Sequence, residues 1–375
     1  AAATPEKLTT SALTEMVRRL DTHSEFLDRK EYAQVQSDLK SEFGGIGVQI
    51  EFRDDKVVVI APIAGTPGER AGILRGDRIV KVDGRELEAP FMRNAVDRLR
   101  GKPGTKVRVG LERTADAGTK ELELELVREI IKVETIRAAS MVAPGVGYIQ
   151  ITQFTERTGK EFGTALAKLE GEGLRALVLD LRNNPGGLLD ASVAVLSPFF
   201  RDGELAVYTQ GRGPGDRSEL RTSGADRPRG YPIAVLVNSG SASAAEIVTG
   251  ALRDTHRAVV IGERTFGKGS VQSLLQLGDG EALRLTTARY FTPGGQVIHG
   301  KGIEPDVPLA VSAEDDRKLS IQRLRDDFAS AEEFKARFDF EPIPDRQLEA
   351  ALDVLRGLLA MGGVERAAGT VSTKP

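Results

Sequence analysis

The sequence contains no cysteine and only three histidines, His23, His256 and His299. Without cysteine, the chain can form no disulfide, no zinc–thiolate site, no iron–sulfur cluster and no thiol nucleophile. Any metal site with several histidines, and any serine–histidine pair, would have to use these three residues. We therefore expect neither a metal ion nor a cofactor.

An excess of charge of one sign is also missing, because 52 Lys and Arg residues against 55 Asp and Glu residues leave a net charge of −3. This balance argues against a nucleic-acid partner held by a strongly basic surface. No run approaches the ~18 apolar residues that span a bilayer, so we expect no transmembrane segment. The chain begins without methionine and without the apolar region of a signal peptide, so we expect a processed form or a part of a longer chain.

Glycine, in contrast, is abundant, with 41 of 375 residues against a typical share of about 7%. The glycines are not periodic, which indicates turns, close backbone approaches and binding loops. The length gives an expectation of two to three domains at about 150 residues each.

Composition and periodicity predict an α+β multidomain protein in four segments. Residues 1–43 are predicted as a helical segment, 44–129 as a small, mostly β module, 130–312 as an α/β core and 313–375 as a helical segment with a tail. The core has near-continuous apolar runs at Val146–Ile151, Ala176–Leu181, Ile233–Val237 and Ala258–Ile261, and helix patterns at Lys160–Leu169, Leu188–Phe200 and Ala244–Leu252. This alternation predicts a sheet covered on both faces. The Gly- and Pro-rich stretch 210–230 is predicted to be a long exposed loop.

One strand-to-helix junction in the core carries several serines. The strand predicted at Ile233–Val237 is followed by the small-residue turn Asn238–Ser243 and then by a helix. Such a turn places a hydroxyl at the crevice where α/β sheets bind ligands, and the helix N-terminus offers N–H groups to a developing oxyanion. Helix capping explains any single serine equally well, and the turn is not a G-x-S-x-G elbow.

A serine nucleophile needs a base, and His256 is separated from the turn by ten or more helical residues at ~1.5 Å each, which argues against direct contact. Lys268 lies between Gly267 and Gly269, just before a predicted strand. If it is buried, its pKa falls and the amine becomes a usable base for serine. Gln272, four residues on, would share its face in a strand and could hold the amine. A surface lysine in a turn is the alternative.

A second junction has the same architecture. The strand predicted at Ala176–Leu181 leads into Arg182-Asn183-Asn184-Pro185-Gly186-Gly187 and a further helix. Two glycines at the end of a strand let a backbone N–H face a ligand unobstructed. An ordinary Asn-Pro-Gly-Gly turn explains the residues equally well.

Together these stretches resemble the carboxyl-terminal processing (tail-specific) serine proteases. The resemblance covers about residues 10–310, and its motifs occur in order at Phe43–Val48, Leu179–Gly187, Gly240–Glu246, Gly262–Gln272, Ala288–Pro293 and Gly302–Asp306. Family members commonly have serine where this chain has Ala245. Several spaced motifs in one order are much more specific than any of them alone.

The resemblance implies roles for individual residues. Ser243 corresponds to the nucleophile, Lys268 to the general base and Gln272 to the partner of the lysine. The oxyanion donors correspond to the backbone N–H groups of Ala244 and of Gly187, with Gly186 as the weaker choice for the second donor.

The resemblance also implies that segment 44–129 is a PDZ domain that binds the substrate C-terminus and gates the active site. The carboxylate-binding loop would comprise Gly44, Gly45, Ile46 and Gly47, since consecutive N–H groups in a glycine turn capture a terminal carboxylate. The core would be related to the crotonase-like fold.

The same resemblance implies an exported enzyme, in the periplasm or cell envelope. Its expected partners are proteins or peptides with free, apolar C-termini, further copies of the chain in a homo-oligomer, and an adaptor protein. A peptide-binding scaffold with little turnover is the first alternative, and a hydratase-like acyl-CoA enzyme is the second.

Overall fold

The computed structural model of the chain describes residues 4–369 except 22, 40–41, 54–55, 64, 75, 88–93, 116–117, 133–134, 214, 225–226, 324–330 and 339. The chain forms two compact units. The first comprises Ala1–Ser41, Glu134–Ser312 and Pro344–Pro375, and the second comprises Glu42–Val133 and Ala313–Ile343.

The helices and strands are numbered in chain order. The helices are α1 (Pro5–Arg18), α2 (Arg29–Leu39), α3 (Pro67–Arg70), α4 (Asn94–Leu99), α5 (Thr158–Gly171), α6 (Leu189–Leu196), α7 (Ala244–Asp254), α8 (Ala313–Arg323), α9 (Ala331–Phe338) and α10 (Arg346–Gly369). Within the described residues, no helix combines the length and the apolar character needed to cross a membrane.

The strands of the first unit are β1 (Glu25–Leu27), β10 (Ile136–Ala143), β11 (Val146–Ile151), β12 (Ala176–Asp180), β13 (Leu205–Gln210), β14 (Arg217–Arg221), β15 (Ile233–Val237), β16 (Ala258–Gly262), β17 (Ser270–Gln276), β18 (Ala282–Phe291) and β19 (Val307–Pro308). Those of the second unit are β2 (Glu42–Gly45), β3 (Val48–Arg53), β4 (Lys56–Pro62), β5 (Arg78–Val82), β6 (Arg85–Glu86), β7 (Lys106–Ala115), β8 (Gly118–Val127) and β9 (Glu129–Lys132).

The first unit contains a six-stranded sheet in the order β10-β11-β12-β15-β16-β19, which is parallel except for β10. Its strands read as apolar runs because both faces are buried. Leu177 and Leu179 belong to the core cluster that includes residues of α5, α6 and α7. Val178 points to the opposite face and packs with Ala351 and Leu355 of α10. Because the strands are parallel, β12, β15 and β16 all end at the same edge of the sheet.

A second sheet in this unit has the order β1-β18-β13-β14, with β17 also paired to β18. The prediction of a long loop over 210–230 is wrong in part, because β14 lies within it and pairs antiparallel with β13. Arg217, Glu219 and Arg221 alternate along this edge strand and form ion pairs with one another. The glycines and prolines on either side of this short polar strand were the reason for expecting a loop.

The second unit is built on the antiparallel sheet β3-β4-β5-β7-β8, with β6 on β5 and a separate β2–β9 pair. Val59, Val82, Val109 and Leu111 are fully buried in its core. In this segment the sequence has four strand-like runs, at Lys56–Ile60, Arg78–Val82, Lys106–Leu111 and Glu121–Val127, and they correspond to β4, β5, β7 and β8. Its one helix pattern, at Phe91–Arg100, corresponds to α4, while residues 91–93 lie outside the described residues.

Candidate active site

The serine turn connects β15 to α7, and the structure distinguishes its serines. Ser241 is fully buried; its hydroxyl donates to Leu181 O (2.8 Å) and accepts the N–H of Asn238 (3.0 Å). It therefore fastens the turn to the neighbouring strand. Ser243 is half-buried and lies immediately before the first residue of α7.

Ser243 has φ = 55° and ψ = −114°, a left-handed conformation that a non-glycine residue rarely adopts. Such a conformation costs about 1–3 kcal/mol and persists only where neighbouring contacts enforce it. Here the N–H of Ser243 donates to Glu246 Oε2 (2.9 Å), and the N–H of Ala242 donates to Asn184 O (2.9 Å). Ser243 is also the N-cap residue of α7 and forms a capping box with Glu246, but capping does not require this strained backbone, so the strain favours a functional role in addition.

The glycine turn after β12 packs directly against the serine turn. Gly186 has φ = 98°, and a Cβ there would lie 2.7 Å from the Cβ of Ser243 and 2.9 Å from the N of Ala244. At Gly187 a Cβ would lie 1.8 Å from the carbonyl oxygen of Phe154. Both positions therefore exclude side chains, which an ordinary surface turn would not require.

Gly186 and Gly187 are the two candidates for the oxyanion donor of the glycine turn, and the N–H of Gly186 is already used in a hydrogen bond. The N–H of Gly186 donates to Asn184 Oδ1 (2.8 Å), which favours Gly187 as the donor from this turn. Ala244 is the first residue of α7, so its N–H has no acceptor within the helix.

Glu246 connects the serine turn to the lysine loop, although the sequence reasoning gave it no role. It is fully buried, and its Oε1 accepts Thr265 Oγ1 (2.5 Å) and the N–H of Gly267 (2.7 Å). Its Oε2 accepts the N–H groups of Ser243 (2.9 Å) and Lys268 (2.8 Å). Because both bonds end on one oxygen, these two backbone nitrogens lie no more than about 6 Å apart.

Lys268 is half-buried, and burial together with the positive charge of Arg284 lowers the pKa of its amine. This is the environment that the sequence reasoning required of a general base. Burial raises the pKa of Glu246, although its four hydrogen bonds oppose the shift.

The prediction that Gln272 shares a strand face with Lys268 is wrong, because β17 begins only at Ser270. A bulge between Val271 and Gln272 further breaks the alternation. The amide of Gln272 instead donates through Nε2 to the backbone oxygen of His23 (2.7 Å). Its orientation is therefore set by the N-terminal segment of the chain.

The histidines are distributed as follows. His256 is exposed and lies beyond the C-terminal end of α7, while Ser243 lies at the other end. His299 packs against the lysine loop, since a Cβ on Gly269 would lie 2.2 Å from His299 N. The rings of His23 and His299 meet edge to face, with centroids 6.2 Å apart.

A buried ion cluster supports the start of the glycine turn, and the sequence reasoning missed it. Arg182 bonds to Asp180 at the end of β12 (2.6 Å) and to Asp345 just before α10 (2.8 Å). Burial alone would lower the pKa of Arg182, but the charge of Asp180 more than reverses this. Gln347 accepts from Arg182 (3.0 Å) and donates to Leu309 O (2.7 Å). An Asp-x-Arg sequence ending an apolar strand was the available signal.

The second unit contains a narrow apolar groove of about 80 Å³. It lies between β3, which is the edge strand of its sheet, and α4, and its lining includes Ile46, Val48, Val96 and Leu99. Of the predicted carboxylate loop, Gly44 and Gly45 end β2, which pairs with β9, while Ile46 and Gly47 lead into β3. Gly47 has φ = 73°, and a Cβ there would collide with Thr66.

Across the described part of the chain, no group of three or more His, Cys, Asp or Glu side chains could hold a metal ion.

Comparison with known proteins gives consistent matches. Residues 145–309 match peptidase family S41, and residues 44–126 match the PDZ domain. A carboxy-terminal-processing protease of Bartonella bacilliformis is 38% identical over 367 residues, covering 94% of this chain and 83% of the relative. The carboxy-terminal processing protease CtpA of Bacillus subtilis is 37% identical over 303 residues, covering 80% and 64%. The solved structure of photosystem II D1 C-terminal processing protease has a TM-score of 0.52 at 32% identity, covering 83% of each chain.

Together with the geometry, these matches define the chain as a serine-type peptidase that carries a PDZ domain. It belongs to the carboxy-terminal processing proteases of peptidase family S41.

Proposed function

We propose that this protease cleaves protein substrates near their C-termini by acyl transfer, with Ser243 as nucleophile and Lys268 as general base. The observation that supports this most directly is the single Glu246 oxygen that accepts the N–H groups of both residues. It fixes the serine turn against the lysine loop. The lowered pKa of Lys268 increases the share of neutral amine.

In the proposed reaction, neutral Lys268 accepts the hydroxyl proton of Ser243 while the oxygen attacks a peptide carbonyl carbon. The N–H groups of Ala244 and Gly187 bind the resulting oxyanion, each contributing about 3 kcal/mol as in comparable sites. Collapse of the tetrahedral intermediate breaks the C–N bond, and the lysine ammonium protonates the leaving amine. Water, deprotonated by the same lysine, then hydrolyses the ester, and Gln272 orients the amine throughout.

For the PDZ domain we propose binding of the substrate's C-terminus. An extended peptide can add to the edge of β3, with an apolar last side chain in the groove beside α4 and its carboxylate at Gly44–Gly47. The edge position of β3 and the apolar lining of the groove support this assignment. Occupation of the groove would gate the active site.

The remaining expectations are also proposals. Leu8 and Met16 on α1, and Leu20 just beyond its end, are each more than half exposed, which supports self-association into a homo-oligomer. The four-segment division with boundaries at 43, 129 and 312 rests on composition and periodicity. The crotonase-like relation of the core, an adaptor protein and an exported location rest on the family resemblance.

The test compares the wild-type protein with Ser243→Ala and Lys268→Ala, using an unstructured substrate protein that ends in apolar residues. We expect both variants to lose cleavage while keeping the wild-type unfolding temperature within a few degrees. Ser218→Ala and Lys160→Ala, two exposed positions on β14 and α5, are the matched controls and should cleave normally. Cleavage by Ser243→Ala at the wild-type rate would refute the proposal.

The same assay separates the alternatives. A peptide-binding scaffold would bind the substrate's C-terminus with no cleavage by any form of the protein. A histidine mechanism would instead make His256→Ala or His299→Ala inactive and leave Lys268→Ala active.

A further inference from the structure

Residues 21–27, with residue 22 outside the described part, cross the two strands that follow the lysine loop. We call this segment the N-terminal strap. The carboxylate of Asp21 holds this segment in place. Its Oδ1 accepts hydrogen bonds from His23 N (2.7 Å), Ser24 N (2.9 Å) and Thr286 Oγ1 (3.0 Å), and its Oδ2 accepts one from Ser24 Oγ (2.5 Å). Ser24 Oγ in turn accepts the N–H of Thr286 on β18 (3.1 Å).

The second half of the strap is β1, which extends the β17–β18 sheet by one strand. Phe26 and Leu27 are each only 2% exposed, so the pairing also buries apolar surface. Glu25 forms an ion pair with Arg284 on β18. The strap is therefore held by side chains, by backbone pairing and by burial.

The strap reaches the proposed catalytic group through a backbone oxygen. His23 O accepts Nε2 of Gln272. A carbonyl oxygen can only accept a hydrogen bond, so this contact decides which end of the amide faces the strap. The carboxamide oxygen Oε1 is thereby left on the other side, where it can accept an N–H from an amine. Without His23 O the amide could turn over and present N–H donors to Lys268.

The strap is also linked to Lys268 electrostatically, through Glu25 and Arg284. Arg284 is the positive group that acts on Lys268, and the strap's Glu25 is the partner of Arg284. Among the described residues, the titratable and charged groups around the lysine loop and the strap include Glu246 on α7, Arg284, Arg289 and Tyr290 on β18, Asp21, His23 and Glu25 on the strap, and His299 and Lys301.

We propose that the N-terminal strap is a positioning element for the general base: His23 O fixes the Gln272 amide so that its oxygen faces Lys268, and Glu25 fixes Arg284. This inference rests on the proposed roles of Lys268 and Gln272. The strap touches no substrate; it acts through the side chains that it orients.

The test is a double-mutant cycle between Asp21→Ala and Gln272→Ala, measured as kcat and KM on the unstructured substrate. We expect Asp21→Ala to lower kcat about tenfold or more with KM nearly unchanged, because misplaced catalytic groups lose rate rather than binding. In a protein that already carries Gln272→Ala, adding Asp21→Ala should lower kcat almost no further. Equal losses in both backgrounds would overturn the inference.

The matched control is Glu31→Ala, which removes a capping contact with Asp28 at the start of α2, immediately after the strap. It should leave kcat unchanged. If Asp21→Ala does not fold, Ser24→Ala replaces it in the cycle; this change removes only the two bonds of the Ser24 hydroxyl, to Asp21 and to the N–H of Thr286.

The pH dependence of kcat/KM is a second measurement, and it would not change if the strap had only a structural role. Glu25→Gln leaves Arg284 without its counter-charge, which disfavours the lysine ammonium, so the acidic limb of kcat/KM should move to lower pH. Arg284→Gln should move it to higher pH. An unmoved limb in both variants would count against the inference. If Ser243→Ala remains active, the proposed function fails as a whole; if it is inactive and the cycle is additive, only the strap inference fails.

Discussion

Glu246→Gln is the substitution that tests most directly how the site is assembled. The carboxylate is fully buried and has two donors on each oxygen, all at 2.5–2.9 Å. The glutamine side chain has the same shape but exchanges one oxygen for an NH₂ group. Two of the four hydrogen-bond donors around this side chain must then face the NH₂ group, which is itself a donor.

The structure indicates which of the two carboxylate oxygens of Glu246 the NH₂ group would replace. At the Oε1 position the NH₂ group would face the hydroxyl of Thr265, which can rotate to accept, and the N–H of Gly267, which cannot. At the Oε2 position it would face two backbone N–H groups, those of Ser243 and Lys268. We therefore expect the NH₂ group at Oε1, with one buried N–H left without an acceptor and the others bonded to a neutral amide.

An orphaned buried donor costs about 1–3 kcal/mol, and each charge-assisted bond that becomes neutral loses a fraction of its 1.5–3 kcal/mol. Removing the buried charge returns part of this, because burial disfavours the carboxylate. The net expectation is a loss of about 2–3 kcal/mol in unfolding free energy. Since the looser Gly267–Lys268 loop carries the base, kcat should fall by at least tenfold.

The measurement pairs denaturant unfolding with kcat, and Glu161→Gln serves as the matched control. Glu161 Oε2 accepts both the N–H and the hydroxyl of Thr135 (2.8 Å each), away from the serine turn. It should lose stability and keep its kcat within about twofold. If Glu246→Gln keeps wild-type kcat, or if both variants lose kcat in proportion to stability, Glu246 does not position the base.

Three further outcomes follow from individual contacts. Gly187→Ala should lower kcat about a hundredfold or more, because its Cβ would collide with Phe154 O and displace the backbone N–H; a wild-type kcat would show that this displacement does not occur. Lys268→Met should raise the unfolding temperature at pH 7 but not near pH 11. Because the folded protein lowers the pKa of Lys268, the charged lysine destabilises the fold at every pH below that lowered pKa. This cost disappears as the pH passes the pKa of the lysine in the unfolded chain, ~10.4. Equal shifts in unfolding temperature at both pH values would refute this reasoning. Val96→Glu in the groove beside α4 should weaken binding of a C-terminally apolar peptide, measured by fluorescence anisotropy, while an amidated peptide binds weakly to both forms.

Local patterns predicted the framework of the core well. The apolar runs at 146–151 and 233–237 coincide with β11 and β15, and the helix predicted at 244–252 is α7 with two more residues. Each of these elements has a periodicity that arises from burial on its own faces. The turns between them were visible because small residues and glycines interrupt the apolar runs.

What local patterns missed depends on contacts between distant residues. β1 has only three residues and exists because it pairs with β18, more than 250 residues later. The orientation of Gln272 depends on a backbone oxygen, which has no side-chain signature. Glu246 looked like part of a motif, and its role became visible only in the fold, where its four donors come from two stretches of chain, at Ser243 and at Thr265–Lys268.

The distribution of charge explains how a buried carboxylate and a lysine base coexist in one site. A carboxylate beside the ammonium of Lys268 would stabilise the charged form and raise its pKa, which would leave less neutral amine. Glu246, on α7, contacts the backbone of the lysine loop but uses both oxygens on backbone N–H groups and on Thr265. The charge that acts on the amine comes instead from Arg284 and has the same sign as the ammonium. The carboxylate can therefore hold the backbone of the base in place while the side chain of the base keeps a lowered pKa.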